Sequence, residues 1–264
     1  MENLGSDITK LLEELQPFAV FGQGAAHGEE LAKNAVVLTN YSLFLLFAIL
    51  LTALFFFAVS RKMALVPKGI GNVGEMGVEF VRNNIVVDVM GPAGIKYVPF
   101  IVTVFFAVLF NNFVGLIPGL KPGTGTLGTT FGWGIMVFVV YNWIGFQKNG
   151  LGYLKSFLPS GTPWLLAPFI YVLELISHFL RPFTLGVRLY ANMYAGHIVL
   201  GVFGIFVVMA AHALSPGSVV IGGLSLVMQI IMYAFEVFVA FIQAYVFAIL
   251  TAVYINGALH ATEH

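Results

Sequence analysis

The chain has 264 residues, of which 59% are hydrophobic and only 9% charged. Its mean hydropathy is +0.94 and its formal net charge is zero, whereas a soluble domain carries about 25% charged residues. These values mark an integral membrane protein and exclude a global electrostatic pull toward nucleic acid; the absence of cysteine excludes a disulfide framework or a thiolate metal site.

The amino terminus, MENLGSDITKLLEELQPF, is acidic and amphipathic. A cleavable signal has a basic start and then an apolar stretch, so the first long apolar run is expected to be a retained span. No charge occurs between Lys33 and Arg61. Thr39–Ser60 is about 22 residues, or about 33 Å of helix, enough to cross a bilayer. RKMALVPK follows, then GIGNVGEMGVEFVRNNIVVDVMG, which mixes apolar residues with Glu75, Glu79, Arg82 and Asp88. That mixture is too polar to span and predicts a helix lying at the interface.

Tyr97–Ile117 is the second predicted span, closed by Pro118. GLKPGTGTLGTT reads as a loop. Phe131–Gln147 is a short third span, with Trp133, Tyr141 and Trp143 as expected interface anchors. Pro168–His212 and Val219–Gly257 are apolar runs joined by ALSPGS. Gly223–Asn256 alone is about 34 residues, or about 50 Å of helix, against a core of about 30 Å. Crossing without overhang needs a tilt of roughly 50–55°, beyond the usual range. The preceding run is longer still, with Pro182 a candidate kink.

The expected fold is therefore an all-α integral membrane protein with about five crossings and an interfacial amphipathic helix. Its last two helices are expected to form a long, steeply tilted antiparallel hairpin, with two upright helices with long ends the alternative. Arg61, Lys62, Lys68, Arg82, Lys96, Lys148, Lys155 and Arg181 gather on one side, against Lys121 on the other. The positive-inside rule makes the first side cytoplasmic, the amino terminus outward and the carboxyl terminus cytoplasmic. Residues 1–38 become an outward segment, 39–60 the first span, and 61–96 a cytoplasmic loop carrying the interfacial helix. No phosphate loop, metal-protease motif or nucleophile–base set occurs, so no catalytic site and no cofactor is expected.

Between Tyr97 and Thr262 there are seven formal charges, three of them loop lysines. Arg181 lies near a helix end, where it can snorkel. Glu174, Arg188 and Glu236 remain within apolar helices, with His178 and His197. Intramembrane ionisable groups mark ion paths by default. Glu174 and His178 are four apart and share a helix face, as do Arg188 and Asn192. Glu236 and Gln243, seven apart, share a face of the last helix. A hairpin turning near 213–218 sets Arg188 beside Gln243 and His197 near Glu236. A carboxylate with an imidazole makes a proton relay. A guanidinium never loses its charge, so it repels protons and cannot relay them. Asn111 and Asn112 could simply cap a span, and a Glu236–His197 pair could simply fix packing.

RLYANMYAGH with its lead LELISHFLRPFTLGV, together with EVFVAFIQAYVFAILTAVYI and FFAVLFNNFVGLIPG, resembles subunit a of F-type ATP synthases. The resemblance covers most of the chain from about residue 40 and implies a stator channel pressed against a rotating c-subunit ring. Arg188 takes the place of the family's essential arginine. Asn192 and Gln243 match its polar neighbours, and Glu174 the carboxylate of the cytoplasmic-side half-channel. His197 and Glu236 match the outward-side pair, here in the order His then Glu. Asn112 matches an asparagine on that same outward path; His178 is not matched to a family position and joins the cytoplasmic side by its spacing from Glu174, a satisfied interior histidine being the alternative. Residues 97–264 are then a channel-forming domain. The expected partners are the c-ring, b-type peripheral stalk subunits and the rest of the complex. The implied membrane is a bacterial plasma membrane, with an organellar membrane the alternative. The relay residues favour protons, with sodium the other ion. A proton-coupled secondary transporter acting alone is the competing reading, but no internal repeat or pair of broken helices supports it.

Overall fold

The structure, a computed structural model, describes residues 2–14, 19–21, 38–61, 69–117, 120–150, 152–158, 163, 165–213 and 216–261. Lys62, Lys68, Pro118 and most of the predicted outward segment lie outside the described residues. The elements run α1 (Glu2–Glu14), β1 (Ala19–Phe21), β2 (Leu38–Thr39), α2 (Asn40–Arg61), α3 (Ile70–Val81), α4 (Asp88–Met90), α5 (Val98–Leu116), α6 (Leu127–Asn149), α7 (Gly152–Lys155), α8 (Ala167–Ala213) and α9 (Pro216–Leu259). The strands pair antiparallel as a minimal ribbon, Ala19 with Thr39. Every other element among the described residues is helical.

Five helical stretches among the described residues are long and apolar enough to cross a membrane, the number expected from the sequence. Their outward faces are apolar: Leu46, Leu50, Leu54 and Phe57 of α2 are all more than half exposed. In water such faces would drive aggregation; in lipid they are the solvated surface. The third crossing helix, Leu127–Asn149, is longer than its predicted span at both ends. Gly128, Thr129 and Thr130 score as loop formers, yet lipid leaves backbone groups no water, so the helix continues through them.

Residues 70–97 are helical throughout but change pitch. A π-helix at Arg82–Val87 follows α3, and a 3-10 helix at Gly91–Tyr97 leads into α5. Gly91 marks the break, with a φ of 60° that favours glycine. The last two helices have 47 and 44 residues. Pro182 sits inside α8 without ending it.

The chain divides into two compact units. The first comprises Met1–Ala48, Asn111–Thr126 and Leu189–Ile242. In it α8 and α9 run antiparallel, with Gly196 opposite Glu236, Gly204 opposite Gln229 and Ala210 opposite Gly222. That is the register the hairpin argument predicts. Leu116, Met193 and Ala240 form its apolar centre, with Phe113 against them.

The second unit comprises Ile49–Phe110, Leu127–Arg188 and Gln243–His264. Here α3 lays Gly74 on Val59 and Gly77 on Phe106. Phe55, Phe56, Phe105, Phe106 and Phe110 form a connected aromatic cluster. Gly134 of α6 meets the Pro182 carbonyl, and Gly186 of α8 meets the Thr130 carbonyl. Small residues at a crossing let two backbones approach closely, as membrane helices require. On α9, Ala244, Ala248 and Ala252 form a fully buried stripe with Phe247 and Ile255.

Candidate functional site

The first unit holds His197 and Glu236. The hairpin register sets Glu236 against Gly196, the residue before His197. A Cβ at Gly196 would overlap the Glu236 carboxylate, whose Cδ stands 2.8 Å from the position that carbon would take. Glu236 is 4% exposed, and neither carboxylate oxygen has a hydrogen-bond partner; nor does the buried Nε2 of His197. The two side chains share a level without bonding each other. A buried carboxylate is expensive unless its oxygens are satisfied, so these atoms call for a proton or a water. His197 also lines a small cavity of about 10 Å³ with Tyr41, Lys121, Pro122, Gly125 and Tyr194. That is close to the room one water needs. Lys121 stands 5.8 Å from the centre of the Tyr41 ring, a cation–π contact.

Asn112 lies in the same unit, fully buried, with its amide engaged. Its Nδ2 donates to the Ala240 carbonyl at 3.4 Å, and its Oδ1 accepts from Thr124 Oγ1 at 3.1 Å. Asn111 Oδ1 accepts the Gly123 N–H at 3.0 Å. The two asparagines thus tie α5 to the glycine-rich turn, and Asn112 also ties it to α9. Asn192 is exposed on α8.

The second unit holds Glu174, His178, Arg181, Arg188 and Gln243. Glu174 and His178 share a face of α8, as their spacing predicts, and both line a cavity of about 180 Å³. Tyr153, Ser156 and Arg181 line it too, with Ala258 and Ala261 from the carboxyl-terminal end. Arg181 does not simply snorkel. It donates to Glu174 Oε1 at 3.3 Å and lies 5.6 Å from the Tyr254 ring centre. Burial raises the pKa of the Tyr153 phenol, with Arg181 opposing the shift, so this hydroxyl stays protonated. Gln243 is buried. Arg188 is exposed and makes no hydrogen bond or ion pair to any described residue. Its guanidinium is therefore not bonded to Gln243, although the hairpin register pairs the two positions. Among the described residues no cluster of three metal-ligating side chains occurs.

Tyr141 is corrected by the structure. Expected at the interface, it is 1% exposed and its hydroxyl lies 3.5 Å from His178 Nε2. Hydropathy cannot distinguish a tyrosine facing headgroups from one facing a buried histidine. Sequence reasoning also missed Asn142, whose Oδ1 lies 3.0 Å from the same nitrogen. It missed Tyr233 as well, which donates to the Leu116 carbonyl at 2.7 Å.

Five helices long and apolar enough to cross a membrane define an all-α membrane protein, and ionisable side chains buried within them, Glu236 and His178, are of the kind that marks ion paths. The comparisons agree. The chain matches the ATP synthase A chain family over residues 41–256. Over 224 residues it is 42% identical to ATP synthase subunit a of Brucella ovis, covering 84% of this chain and 88% of that relative. The same figures hold for the subunits of Brucella canis and Brucella suis. The chain belongs to the ATP synthase A chain family, the subunit a family of F-type ATP synthases.

Proposed function

We propose that this chain is the stator proton channel of an F-type ATP synthase in a bacterial plasma membrane. It offers two half-paths to a rotating c-subunit ring and is anchored by b-type stalk subunits. The observation that carries the reading is Arg188, a permanent cation on an apolar helix, exposed and without a hydrogen-bonding or ionic partner among the described residues. A guanidinium in lipid costs at least about 2.5 kcal/mol. It therefore calls for an anion from outside the chain, and a carboxylate carried past by a neighbouring subunit supplies one.

The mechanism follows from the chemistry of each group. On the outward side, Glu236 and His197 pass protons inward, with Asn112 and Gln243 forming walls and Asn192 beside the arginine. A ring carboxylate takes the proton, loses its charge and can then turn through lipid. On the cytoplasmic side, Arg188 attracts the returning carboxylate and favours its ionised form. The released proton leaves past His178 and Glu174. Because Arg188 never becomes neutral, a proton cannot pass from one half-path to the other without riding the ring. A membrane potential contributes about 2.3 kcal/mol per charge per 100 mV. ATP chemistry belongs to other subunits.

The test uses membranes carrying the whole complex with Arg188→Ala. ATP synthesis driven by an imposed proton gradient should fall to background. Synthesis at the normal rate would sink the proposal.

A further inference from the structure

His178 has two ring nitrogens, and its surroundings give them different work. The side chain is 2% exposed, among the rings of Phe138, Tyr141, Phe157 and Phe179. Its polar atoms must find partners inside the protein.

A chain of hydrogen bonds fixes the ring. Asn142 Nδ2 lies 2.8 Å from the Phe138 carbonyl oxygen. A carbonyl only accepts, so the amide NH₂ faces it and Oδ1 faces His178. Oδ1 lies 3.0 Å from His178 Nε2. An amide oxygen also only accepts, so Nε2 carries the hydrogen. The Tyr141 hydroxyl, 3.5 Å from the same nitrogen, is at the outer limit of a hydrogen bond and contributes little. In the neutral ring Nδ1 is then bare, and this atom is buried with no hydrogen-bond partner. His178 lines the cavity of about 180 Å³, room for several waters at about 30 Å³ each.

We propose that Asn142 is a positioning residue of the cytoplasmic-side proton path, fixing His178 as the Nε2–H tautomer so that Nδ1 alone takes up and releases the proton. The inference rests on the proposed function and adds an atom and an orienting residue to it. In uptake, side chains of the cavity wall relax to let a protonated water reach the buried Nδ1; an O–H bond of that water breaks and an N–H bond forms at Nδ1. The positive charge spreads over the ring, and the bond from Nε2–H to Asn142 Oδ1 becomes charge-assisted. In release, the Nδ1–H bond breaks, the proton passes to water, and the same tautomer returns. Were Nε2 free, a proton could leave from that side, and the ring would have to flip before the next transfer. The ionisable groups around His178 are Glu174 and Arg181 on α8, Tyr141 on α6, Tyr153 on α7 and Tyr254 on α9.

The experiment uses the whole complex with ¹⁵N-histidine in this chain, the His178 signal being assigned by difference against His178→Gln. The neutral wild-type ring should show a protonated Nε2 and a bare Nδ1. Asn142→Leu should mix the tautomers, while Asn142→Asp, which keeps an acceptor, should preserve them. ATP-driven proton pumping by Asn142→Leu should fall about ten-fold, the lower end of the loss seen when a metal-ligating histidine loses its orienting partner, and its pH profile should shift. If Asn142→Leu fails to assemble, Asn142→Ala removes the same acceptor. A wild-type Nδ1–H tautomer overturns the proposal. So does a changed tautomer with pumping rate and pH profile intact. Arg188→Ala in the same preparation separates the two readings. If pumping is lost there but untouched in Asn142→Leu, only this inference fails. If Arg188→Ala pumps normally, the stator reading itself fails.

Discussion

At the scale of single residues, the protein separates groups that can hold a proton from groups that cannot. Both Glu236 carboxylate oxygens and His197 Nε2 are buried without a hydrogen-bond partner, which suits transfer and suits packing poorly. Glu236→Gln keeps the shape and removes the titrating oxygen. Under the proposed function it should lower gradient-driven proton flux by at least about ten-fold, as losing a proton-transfer group does; unchanged flux would leave only a packing role. Gly196 gives a sharper test. Only the far end of a flexible side chain opposes a methyl there, so Gly196→Ala should assemble normally while pushing the Glu236 carboxylate aside. Flux should drop about ten-fold, within the hundred-fold that a 1 Å misplacement can cost. Normal flux would mean that the carboxylate's position is not critical. The sequence made Arg188, Glu236 and His197 legible because each is ionisable within an apolar run. It did not single out Asn142, whose role shows only once its Oδ1 meets His178 from another helix. It left the Glu174–Arg181 pair unread: seven apart, the two share a face of α8, but only the side-chain geometry brings them to 3.3 Å.

At the scale of elements, the helices follow hydropathy, and their contacts follow glycine. Pro182 removes one backbone N–H from α8, and Thr184 Oγ1 donates to the Arg181 carbonyl beside it at 3.0 Å. Gly134 meets the Pro182 carbonyl with no room for a side chain. Backbone cannot yield as a side-chain tip can. Gly134→Val should therefore destabilise the second unit by about 1–3 kcal/mol, the usual cost of overpacking. A lower melting temperature of the purified complex would report it, and an unchanged one would contradict the close crossing. Asn112 belongs at this scale too. Its two hydrogen bonds join α5, the glycine-rich turn and α9, so a residue the resemblance assigns to a path also holds the hairpin's neighbour in place. The π-helix at Arg82–Val87 has no counterpart in any sequence signal, because apolar periodicity does not resolve one extra residue in a turn.

At the scale of the whole molecule, the proposed function requires a ring to carry each proton past Arg188, so this chain should not conduct by itself. Vesicles carrying this chain without a ring should show no potential-driven proton uptake above that of empty vesicles. Uptake dependent on Glu236 in those vesicles would favour a transporter acting alone. The sequence by itself determined the membrane class, the five crossing helices, the hairpin register and the ionisable set, because apolar length and isolated charges in lipid leave few alternatives. Only the tertiary structure decided which polar atoms are satisfied. It engaged the Asn112 amide, turned Tyr141 inward, joined Glu174 to Arg181 and fixed the Nε2 side of His178. The physical reason is that hydrogen bonds depend on distances of a few tenths of an ångström between residues far apart in the chain. Spacing along a helix fixes which face a residue shares, but not which atom it meets.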